Sequence, residues 1–163
     1  GIYYPSNLLY NIGYSIFNFE YDFRAHKFIN PTQTGYLEYF NFLMTQAASK
    51  QINGSRVAIC KSIGTRIVAC GDKNQFEKII WLTPTIMDDF VFDAIIENAS
   101  RSLVVIGTSD PHYDPVKIED LKNYNVPLYE IKEGDHGFDI DGKVEKSILE
   151  MKSVTHFISK YFL

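Results

Sequence analysis

Apolar residues recur at helical spacing near the start of the chain. Leu8, Leu9, Ile12, Ile16 and Phe17 follow a capping candidate at Ser6 or Asn7 and predict a first helix. Phe19-Glu20-Tyr21-Asp22-Phe23 then alternates apolar and polar, the period of a strand. Asn30-Pro31-Thr32-Gln33-Thr34-Gly35 carries turn chemistry and predicts a loop, and residues 36–51 return to helical spacing. Asn53-Gly54 marks a turn. Beyond it, short β-branched runs alternate with amphipathic stretches. Strands are predicted over 57–60, 78–82, 103–106 and 127–131, and helices over 63–70, 87–98, 115–124 and 144–163. Strands separated by helices, without hairpin signals, predict an α/β fold. The expected form is a mostly parallel sheet with helices on both faces, a three-layer α/β/α arrangement in one domain spanning 1–163. Its crossovers should be right-handed. In such sheets functional groups gather beyond the carboxyl ends of the strands, so the loops after each strand are where chemistry is expected.

Composition narrows the reading without redirecting it. A chain of 163 residues that is 45% hydrophobic and 15% aromatic can bury a core and is not a disordered segment. A net charge of −4 argues against a general nucleic-acid binder. No apolar run reaches the length of a membrane span, and Gly1-Ile2-Tyr3-Tyr4-Pro5 lacks the pattern of a signal peptide. The chain opens on Gly1 and not Met, which predicts a processed or trimmed chain. Cys60 and Cys70 are too few for a disulfide framework or a four-ligand zinc site. No metal and no cofactor are expected, and a reducing, cytoplasmic setting is.

Three post-strand loops carry chemistry. After 57–60 comes Lys61-Ser62-Ile63-Gly64, after 103–106 comes Gly107-Thr108-Ser109-Asp110-Pro111-His112-Tyr113-Asp114, and after 127–131 comes Lys132-Glu133-Gly134-Asp135-His136-Gly137-Phe138. A serine, an acid and a histidine thus appear in chain order. A serine hydroxyl is a weak nucleophile at neutral pH. It needs a base to take its proton and an acid to hold that base in the right tautomer. A sharp strand-to-helix turn would lift the serine above the sheet and aim the first helical N–H groups at the reacting centre. Cys60-Lys61-Ser62-Ile63-Gly64 is a variant of the G-x-S-x-G elbow, with Cys60 where the first glycine is usual.

Taken together, these motifs resemble the α/β-hydrolase superfamily, in particular its small, lidless, dienelactone-hydrolase-like members. Lys61-Ser62-Ile63-Gly64-Thr65 resembles the K-S-L-G-T elbow of one bacterial branch, and Ile80-Trp81-Leu82-Thr83-Pro84 the strand after it. Gly107-Thr108-Ser109-Asp110-Pro111 resembles the acid loop, and Glu133-Gly134-Asp135-His136 the histidine loop. The resemblance runs from about Leu8 to the end. It implies Ser62 as nucleophile, Asp110 as acid and His136 as general base. It also implies oxyanion-binding amides at Ile63 and in the loop around Ile2 and Tyr3. Family members place a central strand before that loop, and this chain begins inside the loop, so that strand is expected to be absent from it.

Each of these residues has a plainer role open to it. Ser62 at a strand end can simply cap the following helix. Asp114 is the rival acid, or the cap of the helix that Pro115 opens. Asp135 and Asp139 read as solvated neighbours. Lys61 reads as a solvated lysine, or as an attractor of anionic substrates. His112 and Phe138 are pocket candidates, with Tyr3. Cys60 reads as buried and inert. His26 and His156 read as structural. Tyr36, Tyr39, Phe40 and Phe42 mark a helix packed on the sheet. The function expected is a serine hydrolase acting on a small carboxylic ester or thioester through an acyl-enzyme. A peptide or C–C bond as the target, or a non-catalytic binding role on the same scaffold, stays open.

Overall fold

The computed structural model describes residues 2–19, 32–50 and 54–162. Apart from Phe19, the strand expected at 19–23 lies outside the described residues, as do His26 and Asn53. Four strands, β1 (Val57–Lys61), β2 (Lys78–Leu82), β3 (Ser102–Gly107) and β4 (Leu128–Ile131), form one all-parallel sheet in the order β1-β2-β3-β4. In the register, Lys61 lies opposite Leu82, Leu82 opposite Val105 and Gly107 opposite Ile131. Six helices accompany it among the described residues: α1 (Tyr3–Asn11), α2 (Gln33–Ser49), α3 (Ile63–Cys70), α4 (Asp89–Glu97), α5 (Pro115–Asn123) and α6 (Val144–Phe162).

The central strands β2 and β3 read as nearly unbroken apolar runs because both faces of the sheet are covered there. Side chains alternate across it. Ala58, Cys60, Ile79, Trp81, Val104 and Ile106 meet Val68 of α3, Ile95 of α4 and Leu121 of α5 on one face. Ile80, Leu82, Leu103, Val105 and Ile131 meet Val154 and Ile158 of α6 on the other. Trp81 is fully buried, and its indole N–H donates to the Ser102 hydroxyl at 3.0 Å, so the largest core side chain leaves no polar atom stranded. Tyr36, Tyr39 and Phe40 of α2 pack with Ile67 of α3, so α2 rests on a helix where direct packing on the sheet was expected. Phe42 is exposed. No helix among the described residues is long and apolar enough to cross a membrane.

Helix ends differ from expectation for local reasons. The first helix starts at Tyr3, before the expected caps at Ser6 and Asn7, and tolerates Pro5 because first-turn N–H groups have no intrahelical partner anyway. It stops at Asn11, short of Ile16 and Phe17. Gly13 takes a φ of +102° there, its N–H donates to the Tyr10 carbonyl, and the Tyr14 N–H reaches back to Leu9, both at 3.0 Å. That is a Schellman ending, which glycine favours. The second helix begins inside the expected loop, because the Thr32 hydroxyl accepts the Gly35 N–H at 3.2 Å and caps it.

Candidate active site

At the end of β1 the chain turns through Ser62 into α3. Ser62 has φ 52° and ψ −120°, a conformation that non-glycine residues rarely hold. Neighbouring elements fix it there. Its N–H donates to the Leu82 carbonyl at 3.1 Å, extending the β1–β2 ladder by one rung. Its carbonyl accepts the Thr65 N–H at 2.9 Å and the Thr65 hydroxyl at 2.5 Å. Thr65 is fully buried, and its oxygen also accepts the Thr85 N–H at 3.3 Å. Thr65 therefore braces the elbow against the segment after β2. The sequence reading left this role unassigned, although a threonine three residues past a turn is placed for such a back-bond.

The Ser62 hydroxyl makes no capping bond to α3, so the plain helix-cap reading is not what the structure shows. Its Oγ lies 2.8 Å from Nε2 of His136 instead. Nδ1 of the same ring lies 2.8 Å from Oδ2 of Asp110. The Asp110 side chain is wholly buried, whereas about a third of the His136 side chain (34%) reaches solvent. The proton positions follow from the chemistry: an ionised carboxylate only accepts, so Nδ1 carries the hydrogen. Nε2 is left with a lone pair facing the serine hydroxyl. The other Asp110 oxygen accepts the His112 N–H at 2.8 Å, which leaves the carboxylate one orientation.

Asp114 goes elsewhere. Its carboxylate accepts the N–H groups of Val116 at 2.9 Å and Lys117 at 3.3 Å and caps α5. The acid and histidine loops are stitched together below the reacting groups. Thr108 N–H donates to the Ile131 carbonyl at 3.0 Å and Ser109 N–H to the Gly134 carbonyl at 2.8 Å. Asp135 is exposed, as expected of a solvated neighbour, and it also organises the histidine loop: one carboxylate oxygen accepts the amides of Gly137 at 2.7 Å and Asp139 at 2.9 Å.

Other assignments change with the geometry. Lys61 is not a solvated lysine: its Nζ donates to the backbone carbonyl of His136 at 2.9 Å. Burial pulls its pKa below the usual lysine range, with the charges of Asp110 and Asp135 opposing the shift. Phe138 does not line the reacting groups. It is buried in the α6-side core with a φ of +76°. His112 sits edge-on to His136, the ring centres 5.8 Å apart, at the rim of the site. Tyr3 is exposed on α1 and meets Tyr4 edge to face, and Ile2 packs on the α6-side core. Neither is drawn into the Ser62–His136–Asp110 chain. Cys60 is a free, buried thiol whose Sγ faces the Ile80 carbonyl at 3.5 Å. Burial pushes its pKa up, so thiolate chemistry is disfavoured.

The amides of Ile63 and Gly64 open α3 and have no carbonyl one turn upstream within the helix. An open groove of about 980 Å³ runs between α1, α6 and the histidine loop, lined by Tyr4, Leu8, Phe138, Ile148 and Met151. A smaller cavity of about 220 Å³ lies between β1, α1 and α2. Ser62 lines neither of them. Compared with protein-family models, curated proteins and solved structures, the chain matches none.

Proposed function

We propose that the chain is a serine hydrolase of the α/β-hydrolase kind, acting on a small carboxylic ester or thioester. One observation carries the reading: a hydroxyl, an imidazole and a buried carboxylate, from three post-strand loops, linked by two contacts of 2.8 Å at a strained turn. In this mechanism Nε2 of His136 takes the Ser62 proton as Oγ attacks the carbonyl carbon. Asp110 keeps Nδ1 protonated and stabilises the imidazolium. The Ile63 amide donates to the oxyanion as the tetrahedral intermediate forms, a contribution of roughly 3 kcal/mol per donor. His136 then returns the proton to the leaving alcohol or thiol. Water, activated by the same ring, cleaves the acyl-enzyme.

The partly solvent-exposed His136 side chain favours a small, surface-accessible acyl group over a long one. The test is a series of nitrophenyl esters of increasing chain length. Acetate and butyrate should turn over fastest. A preference for long chains, with acetate ignored, would contradict the substrate class. No hydrolysis of any ester by folded protein would favour a binding role on this scaffold.

A further inference from the structure

We propose that Lys61 is a positioning residue that fastens the histidine loop to the nucleophile turn, so that Ser62 and His136 hold their spacing as one unit. This inference rests on the serine-hydrolase reading above. Lys61 is the last residue of β1 and directly precedes Ser62. Its ammonium crosses to a residue 75 positions later in the chain and donates to the carbonyl of His136 itself, at 2.9 Å. Its Nζ also stands over the ring of Phe138, 5.6 Å from the ring centre.

Two elements of the reacting set are therefore joined at their backbones by one side chain. Asp110 orients the imidazole ring from its far side. Nothing in that bond fixes how far the loop carrying the ring stands from β1. Lys61 supplies that second constraint. An ammonium gives up hydration when it is drawn under a loop, and a hydrogen bond from a charged donor is what offsets the loss. A lysine serving to collect anions would keep its head group in water. This one donates a hydrogen bond to a main-chain carbonyl.

The test compares wild type with Lys61→Met, which keeps length and apolar stem but has no donor, and with Lys61→Arg, which keeps donor and charge. Three readouts are taken: kinetics on a neutral short ester, urea unfolding, and the low-field proton signal of His136 Nδ1. Lys61→Met should lose kcat by roughly 10- to 100-fold, the scale of one hydrogen bond to a charged group, while KM hardly moves. Its low-field signal should broaden or vanish with the fold intact, and Lys61→Arg should recover most of the rate and the signal. Wild-type kcat in Lys61→Met would overturn the proposal. So would an unchanged kcat with KM raised for anionic esters alone, the mark of an anion-collecting lysine. A wild type that is folded but inactive would sink the hydrolase reading and this inference with it. An active wild type matched by Lys61→Met would sink this inference alone.

Discussion

Asp110→Asn is expected to lower ester hydrolysis by roughly four orders of magnitude while the protein stays folded. The carboxylate can only accept, which keeps the hydrogen on Nδ1 of His136, 2.8 Å away. An asparagine amide in its place can donate to Nδ1 instead. The ring then carries its proton on Nε2, facing Ser62, and has no lone pair with which to take the serine proton. Asp114→Asn should leave the rate unchanged, because an asparagine side chain still accepts the amides that open α5. Asp114→Ala should lower stability by about 1 kcal/mol, the usual worth of a helix cap, without touching turnover. Steady-state rates and urea midpoints for the three variants separate acid from cap. A rate loss in Asp114→Ala larger than in Asp110→Asn would reverse the assignment.

Gly107→Ala should damage both fold and activity. A Cβ at Gly107 would lie 2.1 Å from the Gly134 carbonyl oxygen and 2.5 Å from its carbon, both backbone atoms. A flexible side chain could swing away from such a clash, whereas these atoms belong to the histidine loop. The same carbonyl accepts the Ser109 N–H, so relieving the clash means opening the seam between the acid and histidine loops. Overpacking of this kind costs about 1–3 kcal/mol. Any separation of the loops also lengthens the Asp110–His136 contact, and misplacement by about 1 Å can lower a rate roughly 100-fold. The check is a urea midpoint together with the rate per folded molecule. Wild-type values for both would show that the two loops are not in close contact at this point.

How much was legible depended on whether the signal was local. The four strands after residue 56 were readable to within a residue, most clearly where both faces of the parallel sheet are covered and the run is continuously apolar, as from Leu103 to Ile106. The order serine, acid, histidine was readable too, since each residue follows its strand directly. Asp110 is favoured over Asp114 already by lying nearer its strand end, and the Asp114 cap bonds give the second carboxylate its own role. Helix ends turned on single residues: Gly13 stopped α1 where the apolar spacing continued, and Thr32 started α2 inside turn-like sequence. The partner of Lys61 is hidden for a different reason. Local pattern says nothing about a partner 75 residues away, so a lysine drawn under a distant loop reads as a surface lysine. Phe138, beside a polar histidine loop, is buried in the α6-side core with a left-handed φ and lines the groove beside α6, away from the reacting groups.

The central claim is that Ser62 is an activated nucleophile, and the most direct test is intact mass after treatment with a fluorophosphonate probe. Such a reagent captures a serine whose proton is being withdrawn and passes over ordinary hydroxyls. Wild-type protein should gain the mass of one adduct. Ser62→Ala should gain none while keeping the same unfolding curve. A folded wild type that takes up no probe, or an adduct that persists in Ser62→Ala, would contradict the account.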